Sequence, residues 1–312
     1  MVSAELAAVL KDLGDRCEVT DERVGVLSDL DRAGLDALRG AWSTLPVEVR
    51  IAVMERAVGV FLKSIDVDFT RLGLVALDDP EPRVRLGGVV ALSESETGET
   101  ADRLLALANG DPNESVREAA VDGLGRFVEL AQLGDFSSSA GDRIVAALRT
   151  IVADERLAEE IRSAAIEAVG ASSESWVEAI ISDAYYANSR EIRLAAVVAM
   201  GRSADDQWLE FLFEQLHSED PEFRLEAATA CGEIGSDDGI EPLAELLVDD
   251  EPEVVFAAIA AVGEIGGPGA VAVLDSFKED ADPDFHDAVV LAREQASERR
   301  SRQIDESDGG DS

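Results

Sequence analysis

The sequence predicts an all-α fold, an α-solenoid of stacked helical hairpins with about 31 residues per unit. Three observations lead there. An apolar–Arg pair recurs at near-constant spacing, the apolar positions around it keep one helical face, and an acid–Pro signal precedes most copies. A fixed period of roughly 20–50 residues is read before any single motif, because it sets the whole architecture.

The anchor positions are Arg85, Arg117, Arg162, Arg193, Arg224, Val255 and His286, the last five 31 residues apart, with a weaker copy at Arg50. The residue before each anchor is apolar: Val49, Val84, Val116, Ile161, Ile192, Phe223, Val254 and Phe285. Positions −1, +3, +6 and +7 share one helical face. In successive units they are Phe223, Ala227, Ala230, Cys231 and then Val254, Ala258, Ala261, Val262. Their small residues allow close approach of a neighbouring helix. This is the inner helix of each hairpin.

Its start is marked by Asp79-Pro80, Asp111-Pro112, Asp220-Pro221, Glu251-Pro252 and Asp282-Pro283. An acidic side chain can cap free N–H groups, and Pro suits the first turn, where its missing N–H costs nothing. Gly125, Gly170, Gly201, Gly232 and Gly263 stand eight residues after the anchor, near the expected helix end, and predict left-handed caps. Outer helices are predicted over 101–109, 142–153, 174–187, 205–218, 239–248 and 270–278, carrying larger residues such as Trp176, Trp208, Phe211 and Leu246. Neither helix of such a pair buries its face alone, so the hairpins must stack.

The remaining segments divide the chain. Residues 1–80 read as a divergent helical N-terminal cap, 81–295 as the repeat array, and 296–312 as a disordered acidic and polar tail. The anchor spacing widens to 45 between Arg117 and Arg162. The extra residues are placed at 130–142, where Gly134, Ser137, Ser138, Ser139 and Gly141 predict a surface loop.

Composition narrows the function classes. Against 66 Asp+Glu stand 27 Lys+Arg, a net charge of −39, with 46% apolar residues. The apolar share is far above that of a disordered acidic chain. The charge repels nucleic-acid phosphates and anionic lipid, so neither nucleic acid nor membrane is expected as a partner. Lys11, Lys63 and Lys278 are the lysines and the other basic residues are arginines, a balance similar to that of proteins working at high salt. Cys17 and Cys231 are too far apart for a cysteine-pair motif, which predicts a reduced interior. With neither a signal-like start nor a long uncharged apolar run, a cytoplasmic location is expected.

Hairpins of this length carrying Asp-Pro-x-x-x-Arg-x-x-Ala and a later Gly resemble HEAT repeats, in particular the short bacterial and archaeal type of phycobilisome lyase-like proteins. The resemblance covers about residues 80–295. It implies an α-solenoid that binds other proteins, and leaves as the alternative a lyase-like enzyme or an accessory subunit of one. Deoxyhypusine hydroxylase, a HEAT-type metalloenzyme, holds iron through His-Glu pairs; His217 is followed by Ser218 and His286 by Asp287.

Catalytic constellations are missing from the sequence. The two histidines stand apart, and Gly123-Leu124-Gly125 is too short for a dinucleotide loop. The segment Gly263–Gly269 lacks the Lys of a phosphate loop, and a Ser or Cys nucleophile would have no evident base. Asp66, Asp68 and the run Asp249-Asp250-Glu251 read as solvated acidic surface. No cofactor, metal or catalytic residue is assigned, and a non-enzyme is expected. Arg85, Arg117, Arg162, Arg193 and Arg224 form a structural ladder, with Asp79, Asp111 and Asp220 as its expected partners.

A second row stands two residues before the anchor: Glu160, Glu191, Glu222, Glu253 and Asp284. Helical geometry turns this position away from the core. First-turn acids also gain about 0.3–1 kcal/mol from the helix dipole, so the row has a structural use besides. With Tyr186, one of two adjacent tyrosines that cannot both face inward, these residues are the candidate partner-binding set. The function expected is a non-catalytic scaffold or adaptor that binds another protein, one with a basic segment, on the concave face.

Overall fold

The computed structural model describes residues 3–63, 67–280 and 285–308, with side chains to residue 277 in the second stretch and 298 in the third. Every regular element among the described residues is helical. The chain divides into two compact units, residues 1–165 and 166–312.

In the first unit α1 spans Ala4–Arg16, α2 Asp21–Gly25, α3 Arg32–Trp42, α4 Val47–Phe61 and α5 Thr70–Ala76. Ser3, Thr20 and Asp31 cap the first three, each side chain accepting an N–H three residues on. Then come α6 (Pro82–Val90), α7 (Gly98–Gly110), α8 (Glu114–Leu133) and α9 (Ser138–Ala153), and α10 (Glu159–Val169) crosses the unit boundary. The core under α1–α5, built on Leu13, Leu27, Leu38, Trp42, Met54 and Phe69, continues into Val84 and Ala91 on and beside α6. Packing therefore runs through residue 80, where the sequence suggested the edge of a cap.

The surface loop expected at 130–142 is instead mostly helix. α8 extends to Leu133, Gly134 ends it at φ 84°, and α9 begins at Ser138. The added residues lengthen both arms of the hairpin. Phe136 in the short turn stacks edge-on against Phe127 at 5.1 Å, and Gly141 lets α9 lie against Ala131. The polar residues that suggested a loop are the turn and first turn of α9, while Ile144, Val145 and Leu148 carry its apolar face.

The second unit holds α11 (Val177–Tyr185), α12 (Arg190–Arg202), α13 (Leu209–Gln215), α14 (Pro221–Ile234), α15 (Ile240–Glu245), α16 (Pro252–Ile265), α17 (Gly267–Asp280) and α18 (His286–Asp308). These form helical hairpins, and α12, α14, α16 and α18 pack side by side in succession. The anchor-relative positions −1, +3, +6 and +7 are buried on α12, α14 and α16, as Ile192, Ala196, Ala199 and Met200 are in α12. α18 continues to Asp308, past residue 296 where a disordered tail was expected.

The recurrent glycines do not cap helices. Positive φ among glycines belongs to Gly134, Gly235, Gly266 and Gly267, and the glycines at +8 lie inside or at the end of right-handed turns. They serve close approach instead. A Cβ on Gly170, Gly201, Gly232 or Gly263 would come within 2.7–2.9 Å of the Cα of Ala199, Ala230, Ala261 or Ala292 on the next inner helix. Each of these pairs is 29 residues apart.

Candidate functional site

The Arg ladder fixes where the inner helices point their remaining faces. Arg85 donates from Nε and Nη2 to the Asp111 carboxylate at 2.7 and 2.6 Å, and from Nη1 to the Asp79 carbonyl at 2.9 Å. Arg224 repeats this with Asp249 at 2.7 and 2.8 Å and the Ser218 carbonyl at 2.9 Å. Arg50 does the same with Asp79, which also accepts from Trp42 Nε1 at 2.8 Å. In these three, each Arg bonds the carbonyl of its own turn and the carboxylate of the following turn. Arg50, the weak copy in sequence, is a full member, and Asp249, read as solvated surface, is a ladder acid.

Those acids are held from a second side. One oxygen of Asp79, Asp111, Asp220 and Asp249 accepts the N–H two residues on, from Glu81, Asn113, Glu222 and Glu251. Asp79 and Asp111 are therefore turn braces, while Glu81 and Asn113 are the residues at the cap. Burial alone would raise the Asp111 carboxyl, but hydrogen bonds from Arg85 and the Asn113 N–H hold it below the usual range. The Arg224 guanidinium does the same for Asp249.

The other ladder arginines are held mainly by carbonyls. Arg117 donates to the Asp111 carbonyl at 3.0 Å and reaches Glu114 at 3.5 Å. Arg162 donates to the Val152 carbonyl at 3.2 Å. Arg193 bonds the carbonyls of Ala187 and Asn188, both at 3.1 Å, and lies 5.9 Å from the Phe223 ring centre. Arg190, which the sequence did not single out, takes the place beside it. It binds Asp220 at 2.8 Å and Glu222 at 2.5 Å, and holds the Asp220 carboxyl below its ordinary range.

With the ladder turned to one edge, positions −2, +1, +2, +5 and +9 of α14 and α16 are half-buried or exposed, and α12 shares this face except at +2, where Ala195 is buried. Glu191, Glu222 and Glu253 stand exposed at −2 on α12, α14 and α16. Glu191 accepts from the Ser189 hydroxyl at 3.3 Å. Glu160, exposed on α10, belongs to the first unit, where its charge helps burial raise the Glu118 carboxyl. Asp284 lies outside the described residues, as does Asp66. Position +1 holds Leu194, Leu225 and Phe256, and +5 holds Val198, Thr229 and Ala260, all half-buried or exposed. This apolar rung was missed because single exposed apolar residues look ordinary until their 31-residue register is compared.

Tyr186 is 72% exposed. Its neighbour Tyr185 is buried, bonded through its hydroxyl to Glu214 at 3.1 Å and Gln215 at 2.7 Å. Tyr185 stacks edge-on with Tyr186 and Phe211, so the exposed ring stands on a fixed aromatic base. His217 and His286 are both exposed. Burial pushes the Cys231 thiol up to about 12. Among the described residues no three His, Cys, Asp or Glu side chains are placed to share a metal ion, and no helix is long and apolar enough to cross a membrane.

Comparison with known proteins agrees with the repeat geometry. The HEAT_2 family, described as HEAT repeats, matches residues 173–255 and 209–292, and the HEAT repeat family matches 102–131. No curated protein matches the sequence significantly. Among solved structures, the Escherichia coli protein YibA is 17% identical, with 95% of this chain and 97% of that one covered and a TM-score of 0.43. Human deoxyhypusine hydroxylase in complex with glycerol is also 17% identical, covering 94% and 96%, at a TM-score of 0.36. A designed armadillo repeat protein is 19% identical, covering 62% and 99%, at 0.37. Likeness at this level concerns the helical repeat fold alone.

Proposed function

From the premise that the chain is a HEAT-repeat protein, an α-solenoid of the kind that typically binds other proteins, we propose that it is a non-catalytic scaffold. The binding surface in this reading is the exposed face of the inner helices in the second unit, and the partner presents a basic segment. The observation that carries the proposal is the register of Glu191, Glu222 and Glu253. They occupy the same outward position on three helices packed in succession, in a chain of net charge −39. Charges of one sign on adjacent helices repel each other, and an incoming basic chain turns that repulsion into attraction.

The test is fluorescence polarisation of an Arg-rich peptide and its Glu-substituted counterpart against the full chain, titrated with KCl. The basic peptide should bind, the acidic one should not, and affinity should fall with salt. Replacing Glu191, Glu222 and Glu253 together by Lys should weaken binding at least about tenfold and flatten the salt dependence. Unchanged affinity in that variant removes the proposal, and a bound chromophore or turnover by the native protein would replace it with the lyase-like reading.

A further inference from the structure

The acidic row is one side of a larger pattern. On α14 and α16 the face runs from acid through apolar to acid: Glu222, Leu225, Thr229, Glu233, then Glu253, Phe256, Ala260, Glu264. At 1.5 Å rise per residue, the eleven steps from −2 to +9 place the two acidic rows about 16.5 Å apart. Between them lies an apolar rung on each helix. It begins at Leu194 and Val198 on α12, passes Leu225 and Phe256, and reaches Leu291 at +5 on α18. Phe256 and Leu291 are 42% and 58% exposed, and Phe256 is propped edge-on by Phe285 at 4.9 Å. Glu226 lies within the strip, half-buried, its carboxyl raised by burial and by the charge of Glu222. The α12 end differs, since Arg202 occupies +9 there and pairs with Glu167 at 3.9 Å.

Spacing then restricts what can lie across these rungs. Packed helices stand about 8–10 Å apart. A chain crossing them must present one equivalent residue per such step. Two residues of β-strand advance only about 6.6–6.8 Å. Three residues of polyproline II advance about 9.3 Å and complete one turn, so every third side chain points the same way and the other two point to either side.

We propose that this trough binds an extended, polyproline II-like segment of a partner protein with an apolar residue at every third position and basic residues between. The apolar side chain meets Leu225, Phe256 and their equivalents, and the flanking basic side chains reach the row Glu191, Glu222, Glu253 on one side and Glu233, Glu264 on the other. This rests on the scaffold reading above and adds the register of the ligand to it. Charge complementarity selects the occupant, because both rims of the α14–α16 stretch are acidic while its floor is apolar apart from Thr229 and the half-buried Glu226.

The experiment uses the full chain and two labelled peptides of identical composition: about four Leu-Arg-Arg triplets, and the same residues as a Leu block followed by an Arg block. The triplet peptide should bind at least about tenfold tighter than the block peptide. Phe256→Ala should weaken the triplet peptide about tenfold and leave the block peptide unchanged. Equal binding of both peptides, both weakened by Glu222→Lys with Glu253→Lys, overturns the register while the acidic surface stands. Absence of binding by either peptide, or binding of both that ignores the Lys variants, overturns the acidic-surface reading as well.

Discussion

A Cβ built on Gly232 would lie 2.8 Å from the Cα of Ala261 on the neighbouring inner helix. That distance is too short for two saturated carbons, so the glycine sets how closely α14 and α16 approach. Gly201 against Ala230 and Gly263 against Ala292 repeat the contact, with backbone atoms on the far side rather than a side chain able to swing away.

Gly232→Ala should therefore destabilise the protein by about 1–3 kcal/mol, the usual range for overpacking a tight contact. Gly59→Ala makes the contrasting case. Gly59 is helical within α4 and a Cβ there meets nothing within 4 Å. The helix propensity of Ala should stabilise that variant by about 0.5–1 kcal/mol. Thermal or urea unfolding of the two variants should move in opposite directions; a common direction contradicts the close-approach role.

The ladder gives a second graded series. Arg85 and Asp111 are both nearly buried, with side-chain exposures of 9% and 2%. Asp111→Ala leaves the buried guanidinium without its carboxylate, a change that costs about 3–5 kcal/mol for buried pairs. Arg156 is bonded to Asp154 with comparable distances, but its side chain is 89% exposed. Arg156→Ala should shift the unfolding midpoint hardly at all. Equal losses in the two variants would remove burial as the deciding quantity.

The repeat itself was legible in the sequence because it tests itself: one ambiguous Arg means little, while five at one register mark a period, and of the five Arg85 and Arg224 reach the carboxylate of the following turn. The Ala positions and the inner-helix starts came from the same source. The glycines were misread because a +8 Gly near a helix end fits a cap and a contact equally well, and only the neighbour's position separates them. The sequence named the ladder acids Asp79, Asp111 and Asp220 without assigning each to an arginine, since a period cannot say which of two adjacent units a side chain reaches toward. Arg190 escaped notice because it occurs once, and the 130–142 hairpin because its serines carry turn chemistry in a segment whose apolar residues keep helical spacing.

Arg190 also bears on the candidate surface. Its guanidinium holds Glu222 at 2.5 Å and Asp220 at 2.8 Å, offsetting part of the charge at the middle of the acidic row. Arg190→Ala should raise the affinity for a basic peptide by about three- to tenfold, since two carboxylates become available to it. The gain should shrink as KCl is added. Lower affinity in a variant whose circular dichroism is unchanged would mean that Arg190 shapes the surface rather than shielding it.

Stability against pH follows from carboxyls shifted in opposite directions. Hydrogen bonds from Arg190 and Arg224 hold Asp220 and Asp249 below their ordinary value, and burial opposed by Arg85 leaves Asp111 lowered too. A depressed folded pKa contributes stability that is complete above the unfolded value and lost as pH falls through the folded one, here below about pH 4. Glu118 and Glu226 are raised, chiefly by burial. Their charged forms oppose folding, so the penalty they impose at neutral pH is relieved as pH falls from above their folded values toward about 4.5. The large negative charge adds self-repulsion that also weakens on mild acidification. The melting temperature should rise from about pH 8 to a maximum near about pH 5, then fall steeply below about pH 4. Glu226→Gln should flatten the rising limb and Asp249→Asn the falling one; a profile that declines steadily from neutral pH would contradict both assignments.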